Sequence, residues 1–210
     1  IDFSDSTFKA ELELHDIQGA QIAPINYTVS VYPLSQSFDE GVGRDVTLFS
    51  HLDSANWVTA SYTNSTYKLW NKTGAASEGL LGSSDIDIIS SGNIGSGVEQ
   101  LYVDKSITTR NGNLLVDVTK IFSASATGVL PDFGYLIKFS ASIESDANSY
   151  FVKRFGSIQS SNVFKRPTLH IKYNDFIIDD RMFATYNVDG NIYLKNSYNN
   201  ILDYIIILIF

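Results

Sequence analysis

FKAELEL, residues 8–14, sets Phe8, Ala10, Leu12 and Leu14 against Lys9, Glu11 and Glu13 with a strict period of two. Successive side chains of an extended chain point to opposite faces, so this stretch reads as a strand with one apolar and one wet face. YTVSVYP (27–33) is β-branched and aromatic, and Pro33 closes it because proline cannot donate to a central ladder. Further along come VEQLYVDK (98–105), LLVDVT (114–119), GYLIKFS (134–140), YFVKRF (150–155) and PTLHIKY (167–173), each bounded by Gly, Asn, Asp, Ser or Pro. Short strands punctuated at this rhythm predict an all-β chain built as an antiparallel β-sandwich.

The remaining text is less periodic. Between Gln36 and Ser84, VTLF, NWVTASY and YKLW read as short strands joined by polar turns. Residues 82–97 hold four glycines and five serines and read as a flexible rim loop. DVTKIFSASATG (117–128) has room for one helical turn, with Asp117 or Thr119 as N-cap and Gly128 as stop. Beyond Asp175 the pattern changes, and Asp189-Gly190 between two alternating apolar runs is a hairpin signal. The expected organisation is a sandwich over 1–175, then a hairpin and apolar tail over 176–210 that open a second β unit.

Thirteen Phe, twelve Tyr and two Trp give the chain ample material for a core. A formal charge of -8, with no cluster of Lys and Arg, argues against a nucleic-acid partner, which would need its phosphates neutralised. Cysteine is absent, so neither disulfides nor thiolate-bound metals are expected, and the redox compartment stays open. The chain begins IDFSDSTF, without an initiator Met or a basic-then-apolar leader, which reads as an internal start. The longest apolar run, YIIILIF (204–210), is far short of the ~20 residues of a membrane-spanning helix. No membrane insertion is expected, and Ile205, Ile206, Ile207, Leu208, Ile209 and Phe210 are read as a protein-interface segment.

Sites for chemistry are few. In SFDEGVGRD (37–45), Asp39, Glu40 and Asp45 offer hard oxygen ligands of the kind Ca²⁺ takes. The spacing lacks the Asp-x-Asp-x-Asp-Gly order of an EF-hand loop. A rim turn in which Arg44 pairs one of the acids is therefore the expectation, with a structural calcium as the alternative. His15, His51 and His170 are the only imidazoles, and His170 shares the solvent face of its strand with Thr168 and Lys172. With no Gly-x-Ser-x-Gly and no His-Glu-x-x-His, a serine or zinc hydrolase is not expected. Asp179-Asp180 before Arg181 reads as a solvated connector. Core packing is expected for Trp57 and Trp70, a sugar-stacking platform being the alternative. The sequons at Asn26, Asn64 and Asn71 match the number chance supplies and say nothing about glycosylation.

From Leu115 to Asp175, VDVT is followed after a spacer by PDFGYLIKFS, YFVKRFGS and KRPTLHIKYND. This order resembles the DNRLRE-type β-sandwich, a jelly-roll domain of secreted surface proteins related to carbohydrate-binding modules. The wider register, including YPLSQSFDEGVGRDV, NWVTASYT and DDRMFATYNVDGNIYLKN, resembles large structural proteins of tailed bacteriophages, those of marine phages above all. The resemblance implies a jelly-roll-like sandwich in a virion, working in the neck, tail or baseplate without enzymatic activity or a required cofactor. It also implies that the partners are other virion proteins and further copies of the chain in a symmetric ring. A carbohydrate-binding surface module, with a glycan as partner, is the alternative.

Overall fold

The computed structural model describes residues 1–17, 26–40, 54–95, 97–140, 151 and 153–174. The hairpin and apolar tail of 176–210, with Ile205 to Phe210, lie outside the described residues, as do Arg44, Asp45, His51, VTLF and the Asp179-Asp180 pair. The strands are β1 (Lys9–Leu14), β2 (Tyr27–Pro33), β3 (Thr59–Thr63), β4 (Thr66–Leu69), β5 (Glu78–Leu80), β6 (Ile88–Asn93), β7 (Val98–Gln100), β8 (Val103–Ile107), β9 (Leu114–Asp117), β10 (Tyr135–Phe139) and β11 (Thr168–Lys172). One helix, α1 (Thr119–Ala126), follows β9, and a 3₁₀ turn over Val163–Lys165 precedes β11. The chain is all-β in character, and its strand pairs are antiparallel except for β5 with β6.

The alternation of residues 8–14 decides the architecture as expected. β1 is the middle strand of a sheet ordered β11-β1-β9, and Leu12 faces Leu169 on one side and Val116 on the other. Ala10, Leu12 and Leu14 are wholly buried, while Glu11 and Glu13 stand on the outer face. The second sheet is ordered β10-β2-β8 and presents Tyr27, Val29 and Val31 to the same core. α1 adds Ile121 and Ala124 to that core and ends at Gly128, whose φ of 78° is left-handed. Asp117 accepts from the Thr119 amide at 3.0 Å, but the helix N-cap is Val118 and carries no side-chain cap.

β2 is buried on both faces, which is why its sequence runs apolar almost without interruption. Its other face supplies Tyr32 to a second, smaller core with Leu34, Trp70, Ile88 and Leu136. Over that core lies the β3–β4 hairpin, turned by Asn64 and Ser65 with φ of 50° and 63°. Two consecutive left-handed residues make the turn whose twist matches paired strands.

Three expectations need correction. The glycine- and serine-rich stretch 82–97 is not a rim loop: it contains β6, with Ile88 and Ile89 at 0 % and 1 % exposure, one in each core. VEQLYVDK is two strands, β7 and β8, broken at the buried Leu101. In YFVKRF the described residues form an isolated bridge, Phe155 to Asp16, rather than a strand. β1 pairs with β11 and β2 with β10, and β9 and β8 take the other edges of those same two strands. The described strands form three three-stranded sheets and the two-stranded β3–β4 hairpin.

Candidate functional site

The acidic loop that the sequence singles out is anchored to the hairpin. The Asp39 amide donates to the Ala60 carbonyl at 3.0 Å, and its own carbonyl accepts from the Ala55 amide at 2.9 Å. Its carboxylate Oδ2 accepts from the Tyr62 amide at 2.6 Å, so Asp39 extends the ladder beside β3 and braces it with its side chain. The Glu40 carboxyl is pushed above its ordinary value by desolvation. Asp39 and Glu40 are thus placed, with Asp45 outside the described residues, and Asp39 is bonded to β3 and the segment before it. Among the described residues no group of three His, Asp or Glu side chains stands close enough to hold a metal ion.

Two of the three histidines converge on one carboxylate on the wet face of the first sheet. Glu13 Oε2 lies 2.8 Å from His170 Nε2, and Glu13 Oε1 lies 3.8 Å from His15 Nδ1. Asn113 Nδ2 donates to Glu13 Oε1 at 2.7 Å. The neighbouring diagonal is Glu11 with Lys172, at 2.7 Å. Cross-strand diagonals of this kind follow from the register that sets Glu11 opposite His170 and Glu13 opposite Thr168. The hydrogen bond from His170 holds the Glu13 carboxyl below the usual carboxylate range, Asn113 and the charge of His15 add to this, and partial burial opposes it. A depressed folded value contributes stability that is fully present above the ordinary carboxylate pKa and is lost as pH falls through the depressed one. Carboxyl-carbon NMR should therefore show Glu13 titrating below a free glutamate, and His170→Ala should move its midpoint upward. An unchanged midpoint in that variant would remove the role given to His170.

Two polar centres were not legible as sites. Asp87 is 0 % exposed and accepts from five donors: on Oδ1, Gln36 Nε2 at 2.9 Å, the Asn71 amide at 2.8 Å and Asn71 Nδ2 at 3.1 Å; on Oδ2, the Lys72 and Ser77 amides at 2.9 and 3.0 Å. Asp16 pairs with Lys153 at 2.8 Å, their side chains 12 % and 7 % exposed. The one available signal for Asp87 is its place in IDII, an acid inside an apolar run, which has to be satisfied locally.

The tryptophans divide. Trp70 is 7 % exposed and donates from Nε1 to the Asn56 carbonyl at 2.8 Å, as core packing requires. Trp57 is 65 % exposed, which overturns the expectation of a core position. Its ring lies against Gly74, where an added Cβ would come within 2.5 Å of Cη2 and Cζ3. Trp57 precedes β3, and the hairpin has a register shift between Thr59 and Ser61.

A wide cleft between the N-terminal segment and α1, about 530 Å³, is lined by Phe3, Ile94, Asp117, Lys120 and Ser123. Its charged groups are engaged: Asp117 with Thr119, and Lys120 with Glu99 at 2.8 Å. Comparison with known proteins finds no matching family model, no matching curated protein and no matching solved structure.

Proposed function

We propose that the protein is a non-enzymatic structural component of a tailed-phage particle, in the neck, tail or baseplate, whose work is assembly within the virion. The observation that carries this reading is how the polar side chains are used. Asp16, Asp39, Asp87 and Glu13 each join segments distant in sequence, and their oxygens are taken by backbone amides, a lysine or histidines. Groups spent in this way stiffen a sandwich and leave its surface for contact. That surface includes Val163 and Phe164, 56 % and 81 % exposed, on the turn before β11. Exposed apolar side chains gain most when an interface buries them, and a symmetric ring repeats the gain at every contact.

Size-exclusion chromatography with light scattering is expected to show self-association of the purified chain, and peptide mass spectrometry to find it in purified virions. Deleting 203–210, the apolar run read as an interface, should reduce the oligomer while the circular dichroism of the sandwich persists. A chain that stays monomeric and is absent from particles would overturn the proposal.

A further inference from the structure

We infer that the β3–β4 hairpin carries a binding site for a neutral, pyranose-containing glycan, with Trp57 as its stacking surface. This goes beyond the assembly role and stands on different residues.

The first observation is the pose of Trp57. Its ring rests on a residue without a side chain, Gly74, so one part of the indole is backed by main chain and the rest faces solvent. Gly74 has φ of 77°, which L side chains rarely adopt, so conformation and contact both require glycine there.

The second observation is that the backbone of the loop that carries Trp57 is tied down. The Gly74 amide donates to the Trp57 carbonyl at 2.6 Å, the Trp70 amide to the Val58 carbonyl at 3.0 Å, and the Val58 and Thr59 amides both to Asn56 Oδ1 at 2.9 Å. A large aromatic in a fixed loop offers contact area at small cost in conformational freedom.

The third observation is what lies alongside. Tyr67 and Leu69 lie on β4, all of whose residues are exposed, and are themselves 49 % and 56 % exposed. The Tyr67 ring is 4.6 Å from that of Tyr62 across the hairpin. The bond from the Trp70 amide to the Val58 carbonyl continues the pairing one step past Thr59 and Leu69, toward Trp57. Lys72 and Thr73, on the turn that carries Gly74, are exposed and supply polar atoms at the rim.

Chemistry and area choose the occupant. A flat apolar ring with a polar rim fits the C–H face of a pyranose, which is apolar in the middle and ringed by hydroxyls. A stable protein partner would engage about 20–30 residues on each side, far more than the exposed apolar residues of this hairpin, Trp57, Val58, Tyr67 and Leu69. The acidic chain, at -8, disfavours a polyanion.

The test uses the full chain and an array of neutral oligosaccharides and bacterial surface polysaccharides. Trp57 and Trp70 are the only tryptophans, so Trp70→Phe leaves Trp57 as the sole indole reporter. We expect array hits among the neutral glycans and a quenched, blue-shifted emission when Trp70→Phe is titrated with a hit. Trp57→Ala should bind at least about tenfold more weakly, as truncation of an aromatic anchor does, and Trp57→Phe should keep most of the affinity. Self-association of Trp57→Ala should be unchanged, which separates this site from the assembly contacts. No binding to the array by the unmodified chain, or undiminished binding by Trp57→Ala, would overturn the inference.

Discussion

Asp87→Ala is expected to cost about 3–5 kcal/mol, the range for removing one side of a buried charged network, and so a large part of a total of roughly 5–15 kcal/mol. The carboxylate has no contact with water, and its two oxygens serve five donors. Alanine removes both oxygens and leaves the amides of Asn71, Lys72 and Ser77 facing an apolar methyl. Each buried donor left unpaired costs about 1–3 kcal/mol, so three of them reach the expected range even if some find water. The backbone of Asp87 is tied in as well: its amide donates to Ser77 at 2.7 Å and its carbonyl accepts from Ser35 at 2.9 Å. The residue therefore fastens the exit of β2, the 71–77 turn and β6 at one point.

Urea denaturation measures the effect, and a midpoint shift without a change of slope would mark it as lost stability rather than a changed unfolded state. Asp87→Asn should fall between alanine and the natural residue, because one oxygen is kept while the new amide meets donors. A loss below about 1 kcal/mol in Asp87→Ala would mean that water replaces the carboxylate, contrary to a fully dry site. The same turn holds Gly74 under Trp57, so loosening Asp87 should also weaken glycan binding without touching the ring.

How far the sequence could lead is visible in particular residues. FKAELEL was legible because alternation reports two faces of unlike polarity, and β1 has both. The closing strand was legible for the same reason, with Leu169 inside and His170 outside. β6 was not, since it puts Ile88 and Ile89 into the cores and then buries a glycine, Gly92. A Cβ at Gly92 would meet Leu81 Cβ at 2.5 Å and Leu101 Cδ1 at 2.9 Å, so glycine there permits close packing, yet in a sequence it reads as a loop. Asp39 stood out as an acid, but the amide its carboxylate serves belongs to Tyr62, a partner that only the folded chain supplies. Asp87 and the Asp16–Lys153 pair were hidden by separation: their partners lie up to 51 positions away for Asp87 and 137 for the pair.

That pair gives the second large effect: Lys153→Ala is expected to cost about 3–5 kcal/mol as well, since it leaves a carboxylate buried without its counter-charge. Lys153 Nζ sits 2.8 Å from Asp16 Oδ1 and also donates to the Arg110 carbonyl at 3.0 Å. Asp16 Oδ2 accepts from the Gly112 amide, and the Asp16 amide donates to Asn113 Oδ1, both at 3.2 Å. Three segments meet here: the end of β1, the turn before β9, and residues 153–156, whose Arg154 carbonyl accepts from the Ile17 amide and whose Gly156 amide donates to His15. In Lys153→Ala, the Asp16 side chain keeps the Gly112 amide, and one hydrogen bond does not replace water around a charge. Removing both charges is a different experiment. In Asp16→Leu with Lys153→Met no charge is left to desolvate, so the double variant should lose much less than the sum of Asp16→Leu and Lys153→Met measured singly. The shortfall, read from a double-mutant cycle, is the coupling of the pair, and neighbours in contact commonly show about 0.5–3 kcal/mol. Because the charges are shielded from solvent, that coupling should change little between low and high salt, whereas an exposed pair such as Lys172 with Glu11, whose lysine is 64 % exposed, should weaken. Additive single effects would mean that the two side chains act separately, and strong salt dependence would mean that water reaches them; either result would dismantle the pair as a brace between the first strand and the segment leading to the last.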